Sequence, residues 1–122
     1  MTQEDKELLL KDLCARLPYG LKVKCETYSF PVTIFYSGNI DEVKFKETGG
    51  IENICAIKLY LFPLSSMTEE QKKEYQYITE RWMHDSSYSI SDSIDWLNKN
   101  HFDYRGLIEK ELAIDATGLN IY

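Results

Sequence analysis

Apolar and polar positions recur with two different periods along the chain, helical at both ends and two in the middle, and each period predicts a different element. Leu9, Leu10, Leu13, Cys14 and Leu17 recur at three- and four-residue steps, with Lys6, Lys11, Asp12 and Arg16 opposite or flanking them. This is the stripe of an amphipathic helix. Thr2 caps its start, and Pro18 ends it because the residue before a proline avoids helical geometry. The predicted helix covers residues 3–17.

From Gly20 the period falls to two. Leu21, Val23 and Cys25 face one way while Lys22 and Lys24 face the other. Val32 to Tyr36 is β-branched and aromatic, a strand composition. Val43-Lys44-Phe45-Lys46 alternates again, and Ile54 to Leu61 is an apolar run that reads as the most buried strand. Ser37-Gly38-Asn39 and Thr48-Gly49-Gly50 are turn signals between them. Four short strands at about ten-residue spacing predict an antiparallel meander. It either curls into a small SH3-like barrel or lies flat beneath helices.

After Pro63 the helical period returns. Ser66-x-x-Glu69 and Thr68-x-x-Gln71 both fit a capping box, so a second helix starts near residues 65–68 and runs to about Met83. Gln71, Tyr75, Ile78 and Trp82 form its apolar face. His84 to Ser87 reads as a loop, and Ser89 caps a third helix carrying Ile90, Ile94, Leu97 and His101. Asp103 caps a short fourth helix with Leu107, Ile108 and Leu112, weakened by Gly106. Leu119 to Tyr122 is a tail or an added edge strand. The expected fold is α+β in one domain: a leading helix (1–20), a β region of about four strands (21–64), then two or three helices (65–122).

Composition narrows this little. At 122 residues a single core forms without staples. The net charge of −6 is uneven: residues 65–122 carry −5 and residues 21–64 are neutral. An acidic C-terminal half repels phosphate backbones. Three cysteines with no close spacing read as reduced, buried thiols in a cytoplasmic protein. No apolar run reaches the length of a membrane span, and the charged start is unlike a signal peptide.

No constellation points to catalysis, and no ligand spacing points to a metal or cofactor. His84-Asp85 and His101-x-Asp103 are the two histidine–carboxylate pairings, and a small enzyme using His84 or His101 is one alternative reading. Ser65 and Ser66 read as caps. Lys22, Lys24, Lys44 and Lys46 would form one basic cluster if their strands were neighbours, which is the basis of a second alternative, a nucleic-acid accessory protein. Solvation of a sheet face is the simpler explanation, with Glu26, Glu42 and Glu47 close by. Phe102, Tyr104 and Arg105 sit in a helix–helix corner that offers either a peptide-binding notch or a core plug. The leading expectation is a non-enzymatic module that binds protein, itself or another, through its sixteen Phe, Tyr and Trp residues.

Three segments carry a resemblance: Leu17 to Gly20, Leu59 to Glu70, and Trp96 to Lys110. Together they resemble uncharacterised small proteins of anaerobic gut bacteria and their prophages or other mobile elements. The resemblance implies no activity. It leaves out residues 21–53, the region expected to carry a variable, partner-facing surface.

Overall fold

In the computed structural model, which describes residues 2–37, 42–84 and 90–122, one helix leads into a seven-stranded sheet whose last two strands come after two further helices. Helix α1 spans Gln3–Arg16, its first turn closed by the Thr2 hydroxyl accepting from the Asp5 amide at 3.1 Å. A short 3-10 turn over Leu17–Tyr19 comes next, and Gly20 leaves it at φ +69°, a left-handed conformation that suits glycine.

Four strands form a meander, β1 (Lys22–Cys25), β2 (Val32–Ser37), β3 (Glu42–Phe45) and β4 (Ile51–Asn53); the first three are those expected, but the fourth place is taken by Ile51–Asn53 and not by the expected strand Ile54 to Leu61. All neighbours are antiparallel. A register shift between Ile34 and Tyr36 puts a bulge in β2. The apolar run at Ile54 splits in two. Asn53 caps a 3-10 turn over Ile54–Ala56, and β5 is Ile57–Pro63. This strand returns antiparallel to the other side of β1, so the order is β4-β3-β2-β1-β5.

Helix α2 (Glu69–His84) begins with a reciprocal capping box. The Gln71 amide donates to the Thr68 hydroxyl at 3.1 Å, and the Thr68 amide donates to the Gln71 side chain at 2.9 Å. Ser66, the competing cap, donates instead to the Pro63 carbonyl within a 3-10 turn. The expected cap at Ser89 and the turn at Gly38-Asn39 lie outside the described residues, as does the side chain of Trp82. Helix α3 is Ile90–Lys99.

The expected fourth helix does not form. Asp103 keeps its predicted role as a cap, accepting from the Leu107 and Ile108 amides at 3.0 and 2.9 Å. Gly106 at φ +76° and Glu111 at φ +61° confine the segment to a single turn, because left-handed residues cannot propagate a right-handed helix. The flanks become two short strands, β6 (Phe102–Asp103) and β7 (Ala113–Asp115). Both lie parallel along the free edge of β5. Parallel pairing needs a crossover, which the helical pair supplies for β6 and the capped turn extends to β7. The strand count therefore exceeds the four expected.

Two cores result. The larger joins Leu9 and Leu13 of α1 to the inward side chains of β1, β2, β3 and β5 and to Leu107 and Leu112. The smaller groups Trp96, Leu97 and Phe102 with Phe62, Tyr75 and Ile78. The buried face of α1 differs from the apolar stripe. It is Leu9, Asp12, Leu13 and Arg16, with both charged side chains fully buried. Arg16 Nε donates to Asp12 at 2.8 Å, and Arg105 Nε donates to the same carboxylate at 3.0 Å. Asp12→Ala strands two guanidinium groups and is expected to cost roughly 3–5 kcal/mol. Lys11→Ala, on the outer face, stays within about 0.5 kcal/mol. Urea midpoints at unchanged slope measure both.

Candidate functional site

The corner at Phe102–Arg105 is built into the interior. Phe102 is 2% exposed and stacks on Trp96, with ring centroids 5.7 Å apart and planes at 12°. Arg16 reaches across from α1 to donate to the Phe102 carbonyl at 2.5 Å. Tyr104 donates to Asn98 at 2.8 Å and accepts from Arg105 at 3.0 Å, and both guanidinium groups lie over its ring. Arg105 is thus held on two sides by Asp12 and Tyr104. Of the two expectations for this corner, the geometry is that of the plug: Phe102 fills the smaller core and Asp103 caps the next turn.

His101 lies beside it, 5% exposed, in a left-handed backbone conformation at φ +60°. Its ring stacks on Tyr122 at 3.9 Å, and its Nδ1 is buried without a hydrogen-bond partner. Tyr122 is the pin of the C-terminal segment. Its hydroxyl accepts from the Lys22 amide at 2.9 Å and donates to the Tyr60 carbonyl at 2.9 Å, bridging β1 and β5. Burial of that hydroxyl pushes its pKa up from the ordinary tyrosine value, against the opposing effect of the Lys22 hydrogen bond. The Leu119–Tyr122 segment is therefore a tail docked by its last residues, the Tyr122 hydroxyl and the Ile121 carbonyl, not an edge strand. The side chain of His84, and Asp85 beside it, lie outside the described residues.

The lysines divide between two parts of the sheet. Strand β2 separates β1 from β3, so Lys22 and Lys24 are not cross-strand neighbours of Lys44 and Lys46. Lys22 Nζ donates to the Ile121 carbonyl at 3.0 Å. Lys46 lies opposite Thr33, its amide donating to the Thr33 carbonyl, while the next residue, Glu47, accepts from the Thr33 amide and hydroxyl at 2.7 and 2.8 Å. Although burial works to raise the Glu47 pKa, these hydrogen bonds hold it below the ordinary value, and Lys22 adds to that. Lys44 stands opposite Ile51, and Lys24 opposite Lys58.

Two surface features leave no mark in the sequence pattern. On β2 and β4, Phe35 is 65% exposed and Ile51 61% exposed. Ile51 belongs to a strand only three residues long, too short to show a period, and Phe35 takes the outward position after the buried Val32 and Ile34. A cleft of about 370 Å³ lies where β1 ends and β5 begins, lined by Lys24, Glu26, Thr27, Cys55, Lys58 and Ile114 among others. A smaller cleft of about 220 Å³ lies between Phe62, Gln71, Phe102 and Thr117. His101 lines neither cleft, and its ring partner is a tyrosine. Of the three cysteines expected to be buried, only Cys25 is, because Cys14 faces away from the core side of α1 and Cys55 sits in the exposed turn before β5.

Among the described residues no group of three or more His, Cys, Asp or Glu side chains converges on a metal-sized point, and no helix is long and apolar enough to cross a membrane. No protein-family model, curated protein or solved structure matches the chain.

Burial of His101, with the Arg16 charge nearby, pulls its pKa down to about 4, against a raising hydrogen bond to the Tyr19 backbone. The unfolded chain therefore takes up this proton first as pH falls. The stability contributed by neutral His101 is complete above about pH 6.5 and is lost progressively toward pH 4, up to about 3 kcal/mol. Urea titrations from pH 7.5 to 4 are expected to show this loss, and His101→Gln to flatten it.

Proposed function

We propose that the protein is a non-enzymatic binding module whose partner is another protein, engaged by the outward face of the β2–β3–β4 meander. The observation that carries this reading is the exposure of Phe35 and Ile51 on strands that end in the edge strand β4. Among the described residues, β4 pairs only with β3. Natural proteins blunt such edges, because the unpaired amides and carbonyls accept a foreign strand. An edge strand presenting a large apolar side chain suits the addition of an extended segment, whose alternate side chains would pack on Ile51 and Phe35.

Charge favours a different protein over a second copy. A symmetric antiparallel pairing of β4 with itself, centred on its middle residue, would set Glu52 directly against Glu52. Like charges in that position destabilise an antiparallel pair. The partner segment is therefore apolar at the positions beside Ile51 and neutral or basic opposite Glu52. A role as an accessory protein of a mobile element is consistent with this reading and rests on the resemblance of Leu17 to Gly20, Leu59 to Glu70 and Trp96 to Lys110 alone.

A photo-cross-linking amino acid placed at 51 or 35, with one at exposed Tyr77 on α2 as control, tests the surface. The expected result is one shared adduct from host-cell extract at 51 and 35, none at 77, and its loss in Ile51→Lys. Mapping of the adduct should place an extended segment of the partner against β4. Adducts independent of position, or a concentration-dependent dimer in sedimentation that Ile51→Lys abolishes, would overturn the assignment to a different protein.

A further inference from the structure

The cleft at the β1–β5 junction holds an arrangement that the fold itself does not require. Lys24 and Lys58 are directly opposite each other in an antiparallel ladder, both exposed and both lining the cleft. Like charges directly opposite across a sheet are unfavourable. Natural sheets commonly place an opposite charge or a threonine in such a position. Among the described residues, neither lysine has a carboxylate within 4.0 Å, although Glu26 lies on the same rim. The other lysines of the meander are placed differently. Lys22 bonds to the Ile121 carbonyl, and Lys44 faces Ile51.

Around this pair the cleft is mixed in character. Ile114 of β7 and Ala56 offer apolar surface, while the two ammonium groups offer charged donors. The Thr27 hydroxyl hydrogen is taken by Glu52 at 3.0 Å, so the donors facing the cleft are the two lysines. The volume, about 370 Å³, is at the lower end of what small-molecule sites enclose. From these features we infer that the cleft binds a small organic dianion of the phosphate-monoester class. Its phosphate is held between Lys24 and Lys58, and its organic part lies against Ile114 and Ala56.

A dianion between the two ammonium groups turns their mutual repulsion into two charge-assisted hydrogen bonds. The apolar wall then distinguishes an ester from free phosphate. The site lies on β1, β5 and β7, whereas the protein-binding surface lies on β2 to β4, so each can fail without the other.

Phenyl phosphate and inorganic phosphate, titrated separately at constant ionic strength into 15N-labelled full-length protein, test the assignment. Phenyl phosphate is expected to shift the amides of Lys24 to Thr27 and Cys55 to Lys58 saturably, and to bind several-fold more tightly than inorganic phosphate. Lys24→Gln/Lys58→Gln should weaken it by about tenfold or more, since loss of even one charge-assisted hydrogen bond is of that order. The same double substitution should raise the melting temperature of the ligand-free protein. Lys73→Gln/Lys99→Gln, with the same net charge change on exposed helix positions, should leave both unchanged. Absence of saturable shifts, equal affinity for phenyl phosphate and inorganic phosphate, or undiminished binding by Lys24→Gln/Lys58→Gln overturns the proposal.

Discussion

The carboxylate of Asp12 holds the two halves of this protein together. It sits fully buried on α1 and accepts from Arg16 one turn along the same helix and from Arg105 on the far side of the chain. Arg16 in turn donates to the Phe102 carbonyl and, at 3.5 Å, to the Leu97 carbonyl at the end of α3. A buried charge is tolerated only when its bonding capacity is met. The leading helix, the end of α3, strand β6 and the loop after it therefore have to assemble together. Tyr104, clamped between Asn98 and Arg105 beneath both guanidinium groups, closes the network.

That requirement explains why the chain returns to its own sheet after the helices. With Phe102 anchored by Arg16 and stacked on Trp96, the backbone at 102–103 is laid along the end of β5. The Asp103 cap then turns the chain so that Ala113–Asp115 continues the same edge. The docked Tyr122 closes that end by bridging β1 and β5. One side of the sheet thus carries parallel additions, while the other ends in three residues of β4. Among the described residues β4 pairs only with β3, and Phe35 and Ile51 stand exposed on that side of the sheet.

The lysines show how register decides what a charge does. Read along the chain, Lys22 and Lys24 pair naturally with Lys44 and Lys46, because all four alternate outward. In the sheet, β2 intervenes, one lysine is tied to the tail, another faces Ile51, and Lys24 meets Lys58 instead. Lys58 gives no signal of its own, because it stands alone in an apolar run.

Local chemistry is legible in the sequence wherever neighbours in the chain are also neighbours in space. The first helix and its Thr2 cap, the turn at Thr48–Gly50, the Thr68–Gln71 box and the cap at Asp103 all depend on contacts within a few residues. The apolar stripe of α1 turns Asp12 and Arg16 outward, whereas the fold buries both. Asp12 and Arg16 pair with each other one turn apart, which equally suits a solvated face, and the partners that draw them inside, the Phe102 carbonyl and Arg105, are about 90 residues away. The predicted fourth helix gives way for a related reason: its pattern is helical, but the left-handed backbone at Glu111 is imposed by docking on β5. Nor does periodicity carry the placement of β5 beside β1, the parallel strands β6 and β7, or the Lys24–Lys58 pair. Each is a long-range pairing whose register is chosen by the packing of side chains that meet only once the chain has folded.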